Sequence, residues 1–172
     1  MRFFDIVALK EEINLERLAE RFGYGRVFLA GRDVEVVGDV RRIGENGRFI
    51  VRSGDRETLS KAVRAGSVIG VIVEGEKPDG KFVEELRTHE KILFVPVAPL
   101  VCPSQGSRMR GLYAAKSAVR TALKGKARVA LVTLAEGREC LLSSRQMLEI
   151  AKLLGAGDRA AGEMLSAVGD SL

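Results

Sequence analysis

Short β-branched runs alternate with amphipathic stretches along this chain. Arg2–Val7, Arg26–Ala30, Arg48–Arg52, Val68–Val73, Ile92–Val97 and Arg128–Thr133 are rich in Val, Ile, Leu or Phe. Near-continuous apolar runs such as Val68-Ile69-Gly70-Val71-Ile72-Val73 suit strands covered on both faces, as in parallel sheets. Helical periodicity falls between them. Asn14 is placed to cap a helix through Phe22, with Leu15, Leu18, Ala19 and Phe22 on one face and Gly23 as its stop. Asp33–Ile43 reads as a weaker helix, because Val34, Val36 and Val37 are β-branched. Asp55 caps Arg56–Ala65, and Asp79 precedes Phe82, Val83 and Leu86. A long helix is predicted from about Arg108 to Lys124. Ser143 or Ser144 caps Arg145–Leu154, and a last helix runs from about Asp158 to Val168.

Strand and helix in repeated alternation predict a parallel α/β protein. No sharp linker, low-complexity segment or internal repeat divides the chain, so residues 1–172 read as one domain. A closed eight-stranded barrel usually takes about 200 residues or more. Six clear strands would make an abbreviated or open barrel. An open doubly wound sheet is the alternative, and the pattern alone does not separate the two.

Composition narrows the class. No apolar run approaches the roughly 18–20 residues that a membrane span needs. Met1-Arg2-Phe3-Phe4-Asp5 is a poor signal peptide and reads better as a first strand, so a cytoplasmic protein is expected. Cys102 and Cys140 stand far apart, no CxxC occurs, and His89 is the one histidine. Two unpaired, partly buried thiols are therefore expected, with no metal site and no cofactor.

The net charge of +5 is mild, but its distribution is uneven. No acidic residue lies between Glu90 and Glu136. Eight basic ones do: Lys91, Arg108, Arg110, Lys116, Arg120, Lys124, Lys126 and Arg128. The rest of the chain holds 20 basic against 23 acidic residues. Solvated surfaces usually mix both signs, so a one-sign block on an otherwise slightly acidic chain points to a polyanionic partner.

Signs of catalysis are sparse. Gly23-Tyr24-Gly25 precedes a strand and so cannot open a helix onto a phosphate. His89 ends a helix with no partner nucleophile nearby in sequence, and no Gly-x-Ser-x-Gly elbow exists. Asp5, Glu74 and Glu136 lie in or just after strands. At strand ends of an α/β barrel, they would suit a small metal-dependent hydrolase or phosphoesterase, which is the alternative function. On the long helix, Arg108, Lys116, Arg120 and Lys124 share a ladder of residues four apart that Leu112 interrupts. Leu112, Ala115, Val119, Ala122 and Leu123 supply the neighbouring apolar stripe. Ser104, Gln105 and Ser107 in the preceding loop can donate to phosphate or a 2′-hydroxyl. With seven phenylalanines, two tyrosines and no tryptophan, no aromatic-interleaved stacking motif stands out. Recognition of RNA shape and backbone is the expectation.

Two segments carry a family resemblance. Arg128-Val-Ala-Leu-Val-Thr-Leu leads through a loop with Arg138 to Leu142-Ser143-Ser144-Arg145-Gln146-Met147-Leu148-Glu149-Ile150-Ala151-Lys152-Leu153-Leu154-Gly155. This resembles the closing strand, loop and helix of protein component 3 of archaeal ribonuclease P. Ser144 stands where that family's helix motif has proline, and Gln146 where it has aspartate. The strands and helices from Phe49 to Lys124 follow in the family's order, and the likeness is strongest from about residue 48 to 155. Two departures are a missing strand–helix unit between strands one and three, and Leu134-Ala135-Glu136-Gly137 in place of a small polar stretch.

The resemblance implies a TIM-barrel-like fold, an abbreviated or irregular (β/α) barrel of about six to seven strands. It is related to metal-dependent phosphoesterase barrels that carry a His-x-His pair after a first-strand aspartate. Here Val7 and Leu9 follow Asp5 at those positions, so that ligation is lost. The implied role is a non-catalytic subunit that helps the catalytic RNA remove the 5′ leader of precursor tRNA. Implied partners are ribonuclease P RNA, protein component 2 in a heterodimer or heterotetramer, other ribonuclease P proteins, and precursor tRNA indirectly. Exposed apolar surface on another helix would dock the protein partner. The expected RNA contacts are Arg108, Arg110, Lys116, Arg120, Lys124, Lys126, Arg138 and Arg145.

Overall fold

Seven short strands, all paired in parallel, form the centre of the molecule in the computed structural model, which describes residues 2–10, 14–75, 77–102 and 108–172. In chain order they are β1 (Phe4–Val7), β2 (Arg26–Leu29), β3 (Glu35–Val37), β4 (Phe49–Ser53), β5 (Val68–Val73), β6 (Ile92–Pro96) and β7 (Arg128–Val132). Seven helices are described: α1 (Leu15–Phe22), α2 (Arg56–Arg64), α3 (Gly80–Thr88), α4 (Ala98–Val101), α5 (Arg108–Lys124), α6 (Ser144–Leu153) and α7 (Asp158–Ser166). One sheet holds β3-β4-β5-β6-β7 and a second holds β1-β2.

Local chemistry explains the boundaries. The side chains of Asn14, Asp55 and Asp79 each accept a backbone N–H in the first turn of the helix that follows, and so satisfy otherwise orphaned donors. Gly23 ends α1 at φ 74, in the left-handed region that favours glycine. Ser143 and Gln146 form a reciprocal capping box at the start of α6. Gln146 thus caps its own helix at the position where the related motif has aspartate. At Gly70 the strands approach so closely that a Cβ would come within 2.2 Å of the Ile92 carbonyl oxygen.

The segment 33–43 is not a helix. Val34, Val36 and Val37 fit a pleated strand better than a helical turn. They form a bridge and β3, followed by a 3₁₀ turn at Val40–Arg42. β2 passes to β3 through a tight turn in which Ala30 bridges Val34 and the Asp33 carboxylate accepts the Leu29 N–H at 2.8 Å. The strand–helix unit expected to be missing between strands one and three lacks only its helix, because β3 is present there, and the described residues hold seven strands.

Two apolar clusters result. One gathers Ile6, Phe28, Ile50, Ile72, Ile92, Phe94, Ala130 and Val132, with half-buried Val36, and so draws on every strand. The other lies between the opposite strand faces and the helices, and includes Val51, Val71, Leu93, Leu131, Val119 and Ala122. An inward and an outward apolar face on each strand define a barrel-like α/β arrangement. Backbone hydrogen bonds link the two sheets: Leu134 N–H donates to Ile6 at 2.8 Å, and Ala8 N–H to Ala135 at 2.9 Å. The C-terminal segment packs over the strand N-terminal ends. There Arg128 donates to the Ala167 carbonyl, and Arg48 to the Leu172 carbonyl.

The cysteines are not separate thiols. Cys102 follows α4 and Cys140 ends a 3₁₀ turn after β7, and the two form a disulfide with Cα atoms 5.3 Å apart. The loops after neighbouring parallel strands meet in space, although 38 residues separate the pair in sequence. Disulfides are uncommon in a reducing cytoplasm outside hyperthermophiles. No described helix is long and apolar enough to cross a membrane.

Candidate nucleic-acid interface

The acid-free stretch folds mainly into α5. Val119 and Ala122 are fully buried on its inner side, flanked by half-buried Leu112, Ala115, Ala118 and Leu123. Small residues let the helix lie close to its neighbours. A Cβ on Gly125 would come within 2.3 Å of Val83 on α3, and one on Gly111 within 3.1 Å of Leu100 on α4.

The outer side carries the charge. With about 3.6 residues per turn, Arg110, Lys116, Arg120 and Lys124 occupy roughly one third of the helix circumference. Arg110, Arg120 and Lys124 are exposed and Lys116 is half-buried. Exposed Lys126 continues the line just past the helix, where its φ of 59 turns the chain toward β7. Among the described residues, no ion pair or hydrogen bond engages the side chains of these five. Elsewhere cations are commonly paired. Arg52 meets Glu74 at 2.8 Å, Arg56 lies between Asp79 and Glu85, and Lys152 bonds Asp158 at 2.9 Å.

The remaining cations of the stretch serve the fold. Lys91 is turned inward and donates to the carbonyls of Ala65 and Val68, and burial lowers its pKa. Arg128 pairs with Asp170 at 3.6 Å. The side chain of Arg108, and the loop residues Ser104, Gln105 and Ser107, lie outside the described residues.

Arg138 and Arg145 are exposed but stand on other elements. Arg138 opens the 3₁₀ turn that holds Cys140. α6 begins beside α1, where Tyr24 Oη donates to the Leu142 carbonyl at 2.9 Å. It ends against α5, where a Cβ on Gly155 would sit 3.2 Å from Arg120 Cγ. Arg145 and Arg120 thus mark opposite ends of a helix about 15 Å long. Between α3, α5 and the end of α6 runs an open groove lined by Gly80, Val83, Arg120, Thr121, Lys124 and Gly155.

The strand-end carboxylates do not converge. Glu74 is paired with Arg52, and Glu136 lies 3.9 Å from Lys10. Asp5 is buried and accepts three hydrogen bonds: from Ile6 N–H at 2.8 Å, Thr133 N–H at 2.7 Å and Thr133 Oγ1 at 2.7 Å. Burial pushes its pKa up to about 7, although those bonds pull it down. Asp5 therefore ties β1 to the end of β7. Among the described residues, the one grouping with metal-ligand spacing is Cys102, Glu139 and Cys140, two of which are joined as the disulfide.

Sequence reasoning missed one feature of α5. The exposed large hydrophobic residues of the described molecule are Met109, Tyr113 and Leu153. Met109 and Tyr113 lie one turn apart on the basic face. The signal was available: both sit among the basic residues and outside the Leu112–Ala115–Val119 stripe.

Neither a family model nor a curated protein sequence matches the chain significantly. Its barrel-like α/β fold is similar to that of a solved chain in a cryo-EM structure of archaeal ribonuclease P with mature tRNA. The two superpose with a TM-score of 0.71 over 98% of this chain and 80% of that one, at 13% sequence identity.

Proposed function

We propose that this protein is a non-catalytic, RNA-binding subunit of a ribonuclease P, using the outer face of α5 to lie against the RNA backbone. The observation that carries this reading is the row Arg110, Lys116, Arg120, Lys124 and Lys126, cations without a described acidic partner. Like charges one turn apart repel by a few tenths of a kcal/mol per pair. Phosphates relieve that repulsion and release counterions on binding. The fold supports the same reading, since a chain of a ribonuclease P structure shares it. Arg108 at the start of α5, Arg138 in the 3₁₀ turn after β7 and Arg145 at the start of α6 would extend the contact. The partners would be ribonuclease P RNA and protein component 2, with precursor tRNA reached through the RNA. In this reading the strands close into a seven-stranded TIM-like barrel. Its seams would be the Leu134–Ile6 and Ala8–Ala135 bonds on one side and the Ala30–Val34 bridge on the other.

The test is an Arg120→Glu/Lys124→Glu double variant, checked for an unchanged melting curve and titrated with ribonuclease P RNA. Affinity is expected to fall at least about tenfold, because two phosphate contacts become repulsions. Undiminished binding by the folded variant would remove α5 from the interface.

A further inference from the structure

The chain has two tyrosines, and they are used in opposite ways. Tyr24 is buried and its hydroxyl is bonded to Leu142. Tyr113 is 69% exposed, in the first half of α5. It makes no described hydrogen bond, ring stack or cation contact within the molecule. Met109, one turn earlier, is 64% exposed. Isolated surface hydrophobics are ordinary. These two are neighbours, and cations stand on both sides of them: Arg110 three residues before Tyr113, Lys116 three after, and Arg120 one further turn along. This face of α5 contains no carboxylate, so a purely apolar partner segment would leave these cations unmatched. A nucleotide supplies both complements, with a phosphate for the cations and a flat base for the ring.

We infer that Tyr113, backed by Met109, is a stacking platform for an unpaired base, so that the basic face of α5 takes RNA with a splayed nucleotide in preference to continuous duplex. This rests on the RNA-binding reading above and names its substrate class. The phenol ring is open to a partner because Tyr113 is 69% exposed and engages in no described ring contact. Residues three and four apart on a helix are surface neighbours, which places Arg110 and Lys116 to hold the phosphates that flank a base on the ring. Tyr113 is then a specificity residue, while Lys116, Arg120 and Lys124 supply charge neutralisation common to any RNA.

Two RNAs test it: a fully paired duplex, and the same duplex with one unpaired 2-aminopurine bulge. The wild-type protein is expected to bind the bulged RNA more tightly and to quench its fluorescence. Tyr113→Ala should lose roughly tenfold in affinity for the bulged RNA, lose the quenching, and bind the paired duplex within about twofold of wild type. Tyr113→Phe should retain both preference and quenching. Equal loss on both RNAs, or no loss on the bulged one, would overturn the platform. So would a self-associated wild type that Tyr113→Ala renders monomeric in sedimentation without RNA, because the ring would then be a protein contact. Arg120→Glu/Lys124→Glu separates the two levels. If that variant loses both RNAs while Tyr113→Ala loses neither, only the stacking inference fails. If it loses neither RNA, α5 is not the RNA-binding face, and the reading on which the inference rests fails.

Discussion

Asp5 shows how a single residue can carry catalytic chemistry in sequence and structural chemistry in space. A first-strand carboxylate in an α/β barrel is a reasonable metal ligand or base. Here its two oxygens are consumed by Ile6 and Thr133, and it fastens the first strand to the end of the last. Its pKa, raised from 3.8 to about 7 by burial, makes the fold bind this proton more tightly than the unfolded chain does. Such a group stabilises fully below about pH 3.8, and its contribution is lost as pH rises through about 7. Asp5→Asn stays neutral throughout and keeps the geometry, with the amide donating to Thr133 Oγ1 and its oxygen accepting the two backbone N–H groups. Urea unfolding should show the Asp5→Asn variant gaining on the wild type between pH 5 and pH 8, by about 1–3 kcal/mol. The carboxylates with lowered pKa values, such as half-buried Asp33 and exposed Asp55, are common to both proteins and cancel. Parallel stability curves would mean that the carboxyl is not forced to carry charge in a dry site.

At the scale of elements, periodicity and caps were legible wherever local chemistry decided the outcome. The helices capped by Asn14, Asp55, Asp79 and Ser143 begin where those side chains accept a backbone N–H. The stretch 33–43 failed because three valines and a polar spacing satisfied a loose helical pattern. Pairing with β4 decides that segment, and pairing is non-local. The disulfide was illegible for the same reason. Only the adjacency of β6 and β7 brings Cys102 and Cys140 together. On the site, the charge ladder of α5 was readable from spacing. The exposure of Tyr113 depended on which neighbours cover the helix. Closing a loop of this length lowers the entropy of the unfolded chain. Reduction, or Cys102→Ser/Cys140→Ser, should therefore cost about 3–4 kcal/mol in equilibrium unfolding. Insensitivity of the melting temperature to reductant would indicate that the two loops are held together without the bond.

For the whole molecule, the decisive property is the segregation of charge. The chain is only mildly basic, yet one helical face gathers five cations without described acidic partners, while Arg32, Arg41, Arg52, Arg56, Arg87, Arg128 and Arg159 on other elements each meet a carboxylate. The barrel-like frame presents that face by burying the opposite side of α5 against the outer apolar cluster. A polyanion held this way is held through phosphate neutralisation, and the number of ions released is countable. The measurement is the affinity of the intact protein for ribonuclease P RNA across a salt series. With four to five phosphates neutralised by the α5 row, log affinity should fall linearly against log salt with a slope between about −3 and −4.5. A slope near zero would contradict the account, because binding would then owe nothing to the cations on which it rests.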